Sequence, residues 1–203
     1  MLKKIKTHLR CKYCHNIFFF KEIYFRRIEL LICPRCNKKK SLSIWPSQEI
    51  IELLDYISMF NSKSKHFKEM SIVFLCSILE LLLESTLVMM IWQELMPEAF
   101  IIVDNMLNGY QGRNRLLLLY NKMGYGSFKE HLKEINKSEF LKNWDLIVEE
   151  RNKIVHGKLG IYKSYFNKNI THCLIRKQVK LSLEVFALLN NYLLEKHLDR
   201  NLV

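Results

Sequence analysis

Four cysteines near the start of the chain have the spacing of a metal site. They follow the pattern Cys11-x₂-Cys14-x₁₈-Cys33-x₂-Cys36. Each Cys-x₂-Cys pair, here called a knuckle, can present two thiolates to one ion from a tight turn, and four thiolates satisfy the tetrahedral preference of Zn²⁺. The spacing therefore predicts a structural zinc ion held by these four residues, with no coordination position left for catalysis.

A second group of polar residues lies late in the chain, at 151–157 (sequence RNKIVHG). Phe140, Trp144, Ile147 and Arg151 follow the spacing of one helical face, so Arg151 stands where an apolar residue would be expected. A guanidinium on a buried face needs an anion or a cleft, because the burial of an isolated charge is costly. We therefore expect Arg151 to meet a polar partner.

His156 brings a side chain that exchanges protons near neutral pH, at the same helix end. In a straight helix Arg151 and His156 would diverge by about 140°. They converge only where the helix frays before Gly157, or across a two-fold axis between two such helices. Structural alternatives stay open: Arg151 could bond a core carboxylate such as Glu80 or Glu84, and His156 could serve as a helix cap.

Residues 150–157 (ERNKIVHG) resemble the Arg-x₄₋₆-His signature of the HEPN superfamily (higher eukaryotes and prokaryotes nucleotide-binding). The Asn directly after the Arg and the His-Gly ending both fit, and the resemblance extends over residues 47–200. Members are typically metal-independent endoribonucleases that act as dimers, with both protomers lining one cleft. Many serve in toxin–antitoxin or antiviral systems. One subgroup has a Tyr two residues after the His, a target for modification, where this chain has Lys158.

The resemblance implies a role for each residue of the motif. The 2′-OH of RNA attacks the adjacent phosphorus and gives a 2′,3′-cyclic phosphate, with His156 as base or acid. Arg151 stabilises the charge that develops on the phosphate oxygens, and Asn152 orients the imidazole or the phosphate. Lys153 and Lys158 contact the RNA backbone. The implied partners are RNA, a second copy of the chain, and an antitoxin or defence-system protein.

Positive charge is concentrated at the N-terminus. Residues 1–45 carry 12 Lys/Arg against two Glu, a net of +10, whereas the rest of the chain has a net of only +2. Such a module indicates contact with nucleic acid, although small zinc modules also need charge for solubility. The predicted RNA-binding residues are Arg26, Arg27, Lys38, Lys39 and Lys40 in the module, and Arg113 and Arg115 in a basic loop at 109–115.

Two other functional classes remain as alternatives to a ribonuclease. The first is a non-catalytic HEPN-like module that binds RNA, a nucleotide or a partner protein, with the zinc ribbon as an adaptor. The second is a DNA-binding regulator led by the ribbon, which ranks last because nothing in the sequence resembles a recognition helix.

The apolar content of 49%, with only six glycines and three prolines, favours long helices. We predict a mainly α fold: a small β zinc ribbon at 1–46, followed by a HEPN-like helical bundle at 47–203. In the ribbon, the segments 17–25 and 26–32 between the knuckles are expected to be strands. The predicted helices span 47–60, 68–95, 98–108, 116–123, 127–136, 139–156 and 177–197.

The remaining cysteines and the N-terminus bear on the compartment. Cys76 and Cys173 are expected to be small core residues. No apolar stretch follows the first lysines, so no signal peptide is predicted, and a cytoplasmic, reducing location is expected. The apolar run at 72–92 contains Glu80 and Glu84, which indicates a buried helix rather than a membrane span.

Overall fold

The computed structural model describes residues 4–60, 65–94, 112–123, 126–156 and 171–200. Within these ranges the chain forms one three-stranded antiparallel sheet, one 3₁₀ helix and six α-helices. This confirms the prediction of a mainly helical protein preceded by a small β module.

The strands and helices follow one another in this order: β1 Lys4–Cys11, β2 Ile17–Tyr24, the 3₁₀ helix Phe25–Leu30, β3 Leu42–Trp45, α1 Gln48–Phe60, α2 Lys65–Glu94, α3 Arg113–Lys122, α4 Phe128–Glu134, α5 Ser138–His156 and α6 His172–Arg200. Contacts along the chain form two compact units. The ribbon unit comprises Met1–Ile51 and Ala187–Val203, and the helical unit comprises Glu52–Phe186. The predicted boundary between residues 46 and 47 stays a prediction; the ribbon unit also takes in the end of α6.

The sheet has the order β2-β1-β3, with β1 in the centre. Because side chains alternate along a strand, Thr7, Leu9 and Cys11 point to one side of β1. That side is buried, and Leu9 and Cys11 pack there in an apolar cluster with Ile28 and Leu42. The opposite side of β1 carries His8 and Arg10.

The prediction of a strand at 26–32 is wrong, because Phe25–Leu30 forms a 3₁₀ helix. Its Ile28 side chain enters the apolar cluster instead of extending the sheet. Both β2 and β3 pair with β1, which leads into the first knuckle. The alternation of charged and buried residues in Lys4–Cys11 is the sequence signal for this central strand.

The helical unit is built around α2 and α5. In α5 the side chains of Phe140, Trp144 and Ile147 are buried, as the predicted helical face requires. Trp144 meets the ring of Phe140 edge-on, with the centroids 5.9 Å apart, and the ring of Phe186 in the same way at 6.2 Å. This aromatic packing fixes the rotation of α5, and therefore the direction in which residue 151 points.

Three predicted helices agree closely with the structure: 47–60 corresponds to α1, 68–95 to α2 and 139–156 to α5. Helix α4 is shorter than predicted and begins with a capping box between Ser127 and Glu130. The expected helix at 98–108 lies outside the described residues.

Two predicted boundaries are wrong. Arg113 and Arg115 belong to α3 rather than to a loop, because Gly112, with a φ of 83°, begins that helix. Helix α6 starts at His172 instead of 177, since the Thr171 side chain caps it by accepting a hydrogen bond from the Leu174 N–H at 3.1 Å. Cys173 therefore lies in an exposed first turn and is not a core residue. Cys76 is buried, as predicted.

One helix in the described part of the chain is long and apolar enough to cross a bilayer. The stretch Phe67–Ile91 of α2 contains an 18-residue window with a mean hydropathy of 2.1, and 56% of that window is buried inside the protein. The core helix of a soluble protein can meet the same criterion. The interruption by Glu80 and Glu84 predicted a buried helix of this kind rather than a membrane span.

The end of α6 closes an open edge of the sheet within the ribbon unit. The side-chain amide of Asn191 accepts a hydrogen bond from the Ile17 N–H at 2.8 Å and donates one to the Ile17 carbonyl at 2.7 Å. Asn190 donates to the His15 carbonyl at 3.1 Å. An amide side chain thus replaces the neighbouring strand that β2 lacks at this point.

We expect Asn191→Ala to lower the free energy of unfolding by about 1–3 kcal/mol, because two backbone groups of Ile17 lose their partner. Urea denaturation measures the loss, and hydrogen exchange should show faster exchange of the Ile17 amide. Leu188→Ala, an exposed change on the same helix, is the control and should leave both measurements unchanged. Equal stability of the two variants would contradict the edge-closing role.

Candidate metal centre and candidate active site

The four cysteines of the knuckles lie together. Their sulfur atoms are all within 4.8 Å of one another, and the Cys11–Cys36 and Cys14–Cys33 sulfur pairs are each 3.6 Å apart. Four thiolates at about 2.3 Å from a tetrahedral ion would be about 3.8 Å apart, whereas a disulfide needs about 2.05 Å. The cluster therefore has the dimensions of a site for one metal ion.

Each knuckle is shaped by backbone hydrogen bonds. The Cys11 N–H donates to the Asn16 carbonyl at 2.9 Å, and the Asn37 N–H donates to the Cys33 carbonyl at 3.0 Å. The residue after each second cysteine, His15 or Asn37, has a φ of 55°. This left-handed residue turns the chain so that both thiols of a knuckle face the same point.

The environment favours ionisation of the first thiol. Burial raises the pKa of Cys11, but hydrogen bonds from the backbone of Cys14 and Tyr13 lower it, and the net pKa is about 6. Burial raises the pKa of Cys14 to about 12. Since the thiolate is the form that binds metal, Cys11 is ready to do so at neutral pH.

Arg151 meets a carboxylate in the helical unit. Its Nη2 donates a hydrogen bond to Glu80 Oε1 of α2, at 3.2 Å. The two side chains are 26% and 21% exposed, so the pair is neither sealed in the core nor free in solvent. The Nε of Arg151 is buried and has no hydrogen-bond partner. The charge of Arg151 on the apolar face of α5 is thus neutralised by Glu80, one of the two carboxylates named as structural partners in the sequence analysis.

A second arginine lies near this pair. Arg113 of α3 forms an ion pair with Asp145 of α5, and its guanidinium lies 5.2 Å above the Trp144 ring. Cys76 is close to both arginines: burial raises its pKa to about 12, and the charges of Arg151 and Arg113 act against that rise. The charges of both guanidinium groups therefore act on one buried thiol of α2.

The other predicted motif residues are placed less completely. Asn152 and Lys153 are exposed on α5, and Lys153 Nζ lies 3.5 Å from the buried carboxylate of Glu150. The backbone of His156 ends α5, but its side chain lies outside the described part, as does all of Lys158. The convergence of Arg151 with His156 therefore stays a prediction.

The predicted RNA-binding residues fall into three groups. Lys38, Lys39 and Lys40 are exposed at the second knuckle, and Arg115 is exposed on α3. Arg113 is held in its ion pair and is mostly buried. The backbone of Arg26 and Arg27 lies in the 3₁₀ helix, and their side chains are outside the described part.

Sequence reasoning assigned the aromatic residues of the ribbon to strands and overlooked two exposed rings. Phe19 is 54% exposed on β2, and Tyr13 is equally exposed in the first knuckle, with Lys38 Nζ 4.2 Å above its ring. Strand alternation is the signal for Phe19, because Phe18 and Phe20 point into the apolar cluster.

Comparison with family models, curated proteins and solved structures finds no match to this chain. Membership of the HEPN superfamily therefore rests on the motif and its helical context, and it stays a prediction.

The sulfur geometry predicts one bound divalent metal ion per chain, measurable by elemental analysis of the purified protein. Cys33→Ser should abolish the stoichiometric metal, because three thiolates leave the tetrahedral site incomplete. Cys173→Ser, which changes an exposed thiol outside the cluster, is the matched control and should keep one ion. Full metal content in Cys33→Ser would rule out the four-cysteine site.

Proposed function

We propose that the chain is a homodimeric endoribonuclease of the HEPN type, with a structural Zn²⁺ in the ribbon. The main support is the motif at 151–156, which lies at the end of one α-helix with its Arg151 partly exposed. The positive charge of residues 1–45 supports RNA as the substrate. Zn²⁺ suits a four-thiolate site of these dimensions and would supply fold stability there.

The proposed reaction uses groups of the motif alone. His156 removes the proton of the 2′-OH, the O2′–P bond forms, and the P–O5′ bond breaks. His156 then gives this proton to the leaving O5′, so the products carry a 2′,3′-cyclic phosphate and a 5′-OH. The imidazole suits the proton transfers near neutral pH, and Arg151 stabilises the added negative charge on the phosphate oxygens.

Glu80 has a positioning role in this proposal. Its carboxylate fixes the rotamer of Arg151, so that less freedom is lost when a phosphate binds. A guanidinium has five N–H donors, and the contact with Glu80 uses one of them, at Nη2. The pair therefore remains compatible with a phosphate on its open side.

The exposed face of α2 supports a homodimer. Positions 67, 70, 74, 77 and 81 follow the alternating three- and four-residue spacing of a helix that packs against another helix. Phe67, Met70, Phe74 and Leu81 on this stripe are 40–51% exposed. Tyr56 of α1 borders the stripe, and with Phe67, Met70 and Phe74 it lines an apolar groove of about 240 Å³.

A second copy of α2 is the occupant that fits this stripe. An antiparallel pair with its two-fold axis between residues 75 and 76 would set Met70 against Leu81 of the second copy, and Phe74 against Ser77. Large side chains then face small ones. The four apolar side chains of the stripe and Tyr56 have about 200 Å² of surface each, so their exposed parts offer about 450 Å² per copy. With a polar rim added, the area buried on two copies approaches that of a small stable interface.

The dimer would also bear on the site. Glu80 directly precedes Leu81 of the stripe, and Glu84 continues the same spacing one turn later. A second copy on the stripe would therefore face the Glu80–Arg151 pair. This is consistent with the expectation that both protomers line one cleft.

A non-catalytic RNA- or partner-binding module is the second candidate. One observation favours it: the bond from Arg151 to Glu80 is the contact that a purely structural arginine would make. An antitoxin or defence-system partner and a cytoplasmic location stay predictions under either function.

We expect wild-type protein to cleave total RNA into fragments with 5′-OH ends, and His156→Ala and Arg151→Ala to reduce the rate by about 10²–10⁴-fold. Glu80→Gln should reduce the cleavage rate by less, because the amide loses the negative charge but keeps an oxygen that can accept the hydrogen bond from Arg151. Mapping of the 5′ ends, with and without EDTA, measures all variants. His172→Ala, an exposed histidine of α6, is the control and should cleave normally.

The two candidates give different results in that series. In a non-catalytic module no variant cleaves, His156→Ala binds RNA as wild type does, and Arg151→Ala only lowers the melting temperature. Absence of cleavage by the wild-type dimer across tRNA, rRNA and mRNA would refute the ribonuclease.

We expect Phe74→Lys to convert the dimer to a monomer and to reduce cleavage with it, because a charge on the stripe cannot be desolvated in the interface. Light scattering coupled to size-exclusion chromatography measures the mass. Leu118→Lys changes an equally exposed apolar residue of α3 and should stay dimeric. A monomeric wild-type protein at micromolar concentration would contradict the proposed interface.

A further inference from the structure

Three aromatic side chains form a row across the outer face of the sheet. His8 on β1 is paired with Phe19 on β2 and with Trp45 on β3. Directly paired residues point to the same side of a sheet, and the ring centroids are 5.2 Å apart for His8–Phe19 and 6.1 Å for His8–Trp45. Trp45 is buried and supports the row, whereas Phe19 is open to solvent. About half of Phe19 is therefore exposed to solvent, on a strand that the sheet holds in place.

A guanidinium lies on the same face, next to this row. Arg10 follows His8 by two residues, about 6.6 Å along the strand. Its Nε is buried and has no hydrogen-bond partner. Lys21, two residues beyond Phe19, adds an exposed cation to this face.

The two features suit two parts of one nucleotide. An open aromatic ring accepts the face of any base, and stacking is the main sequence-tolerant contact of proteins with single strands. A guanidinium binds phosphate, and Arg10 is partly exposed on this face. Bases in a duplex are covered by their neighbours and cannot present a face to Phe19.

We propose that this face of the ribbon unit binds a nucleotide of single-stranded RNA, with the base stacked on Phe19 beside His8 and the phosphate bonded to Arg10. The choice of RNA rests on the proposed function. The site itself adds a binding mode that surface lysines alone do not provide.

Binding is best measured on the full chain with His156→Ala, so that the RNA stays intact. A fluorescein-labelled 12-nucleotide single-stranded RNA is titrated and its anisotropy recorded. Phe19→Ala should raise the Kd about 10-fold, and Phe19→Trp should restore tight binding. Arg10→Gln should raise the Kd and reduce the slope of log Kd against log salt by about 0.7. Leu30→Ala, an exposed apolar change elsewhere in the ribbon unit, should bind normally.

Two further ligands complete the test. Duplex RNA of the same length should bind more weakly, and single-stranded DNA of the same sequence should bind about as well as the RNA, because base and phosphate are common to both. An unchanged Kd in Phe19→Ala, equal binding of the duplex, or strong preference for DNA would overturn the proposal. Melting curves establish that each variant is folded.

The outcome is separable from that of the proposed function. Since binding is measured without cleavage, loss of affinity in Phe19→Ala supports the stacking site even if the wild type cleaves no RNA. Cleavage by the wild type, combined with binding that ignores Phe19, would keep the ribonuclease and overturn the stacking site.

Discussion

The charge of Arg151 on the apolar face of α5 constrains the helical unit. Phe140, Trp144 and Ile147 on that face are buried, and the next position carries a guanidinium. Removing its partner would leave a desolvated charge, so an acid must accompany it. Helix α2 supplies Glu80, which explains a carboxylate within the apolar run of this core helix. Because the pair is about three-quarters buried, its rotamers are fixed without being sealed from solvent.

The ribbon unit is held together by different means. It is too small to bury a large core, so the four clustered thiols can add metal-binding free energy to that of the apolar cluster around Leu9. Hydrogen bonds then determine its edges: Asn191 occupies the backbone groups of Ile17 that no strand takes. Once one side of the sheet is filled by the apolar cluster, His8, Phe19 and Arg10 must lie on the other side.

Sequence patterns predicted the parts of the fold that periodicity alone determines. The cysteine spacing and the long periodic helices α1, α2 and α5 belong to this class. The strand β1 was not predicted because Lys4–Cys11 lies before the segment between the knuckles, where the β-prone and aromatic residues are concentrated. The start of α6 was missed because one side chain, that of Thr171, sets it. Helical periodicity also shows which face Arg151 occupies, but not which residue of another helix will lie opposite, so Glu80 and Glu84 stayed equal alternatives.

Whether the Arg151–Glu80 pair is structural or catalytic depends on how charge changes during a reaction. A fully buried pair would stabilise only the fold, because no phosphate could approach without separating the two charges. A fully exposed arginine would lose considerable side-chain entropy on binding. Arg151 has an intermediate exposure, and one carboxylate holds its guanidinium. Under the proposed function, its remaining N–H donors would be oriented before a substrate arrives. Under the proposed function, a guanidinium held in this way would accelerate the reaction only to the extent that its hydrogen bonds strengthen as the phosphate oxygens gain charge in the transition state.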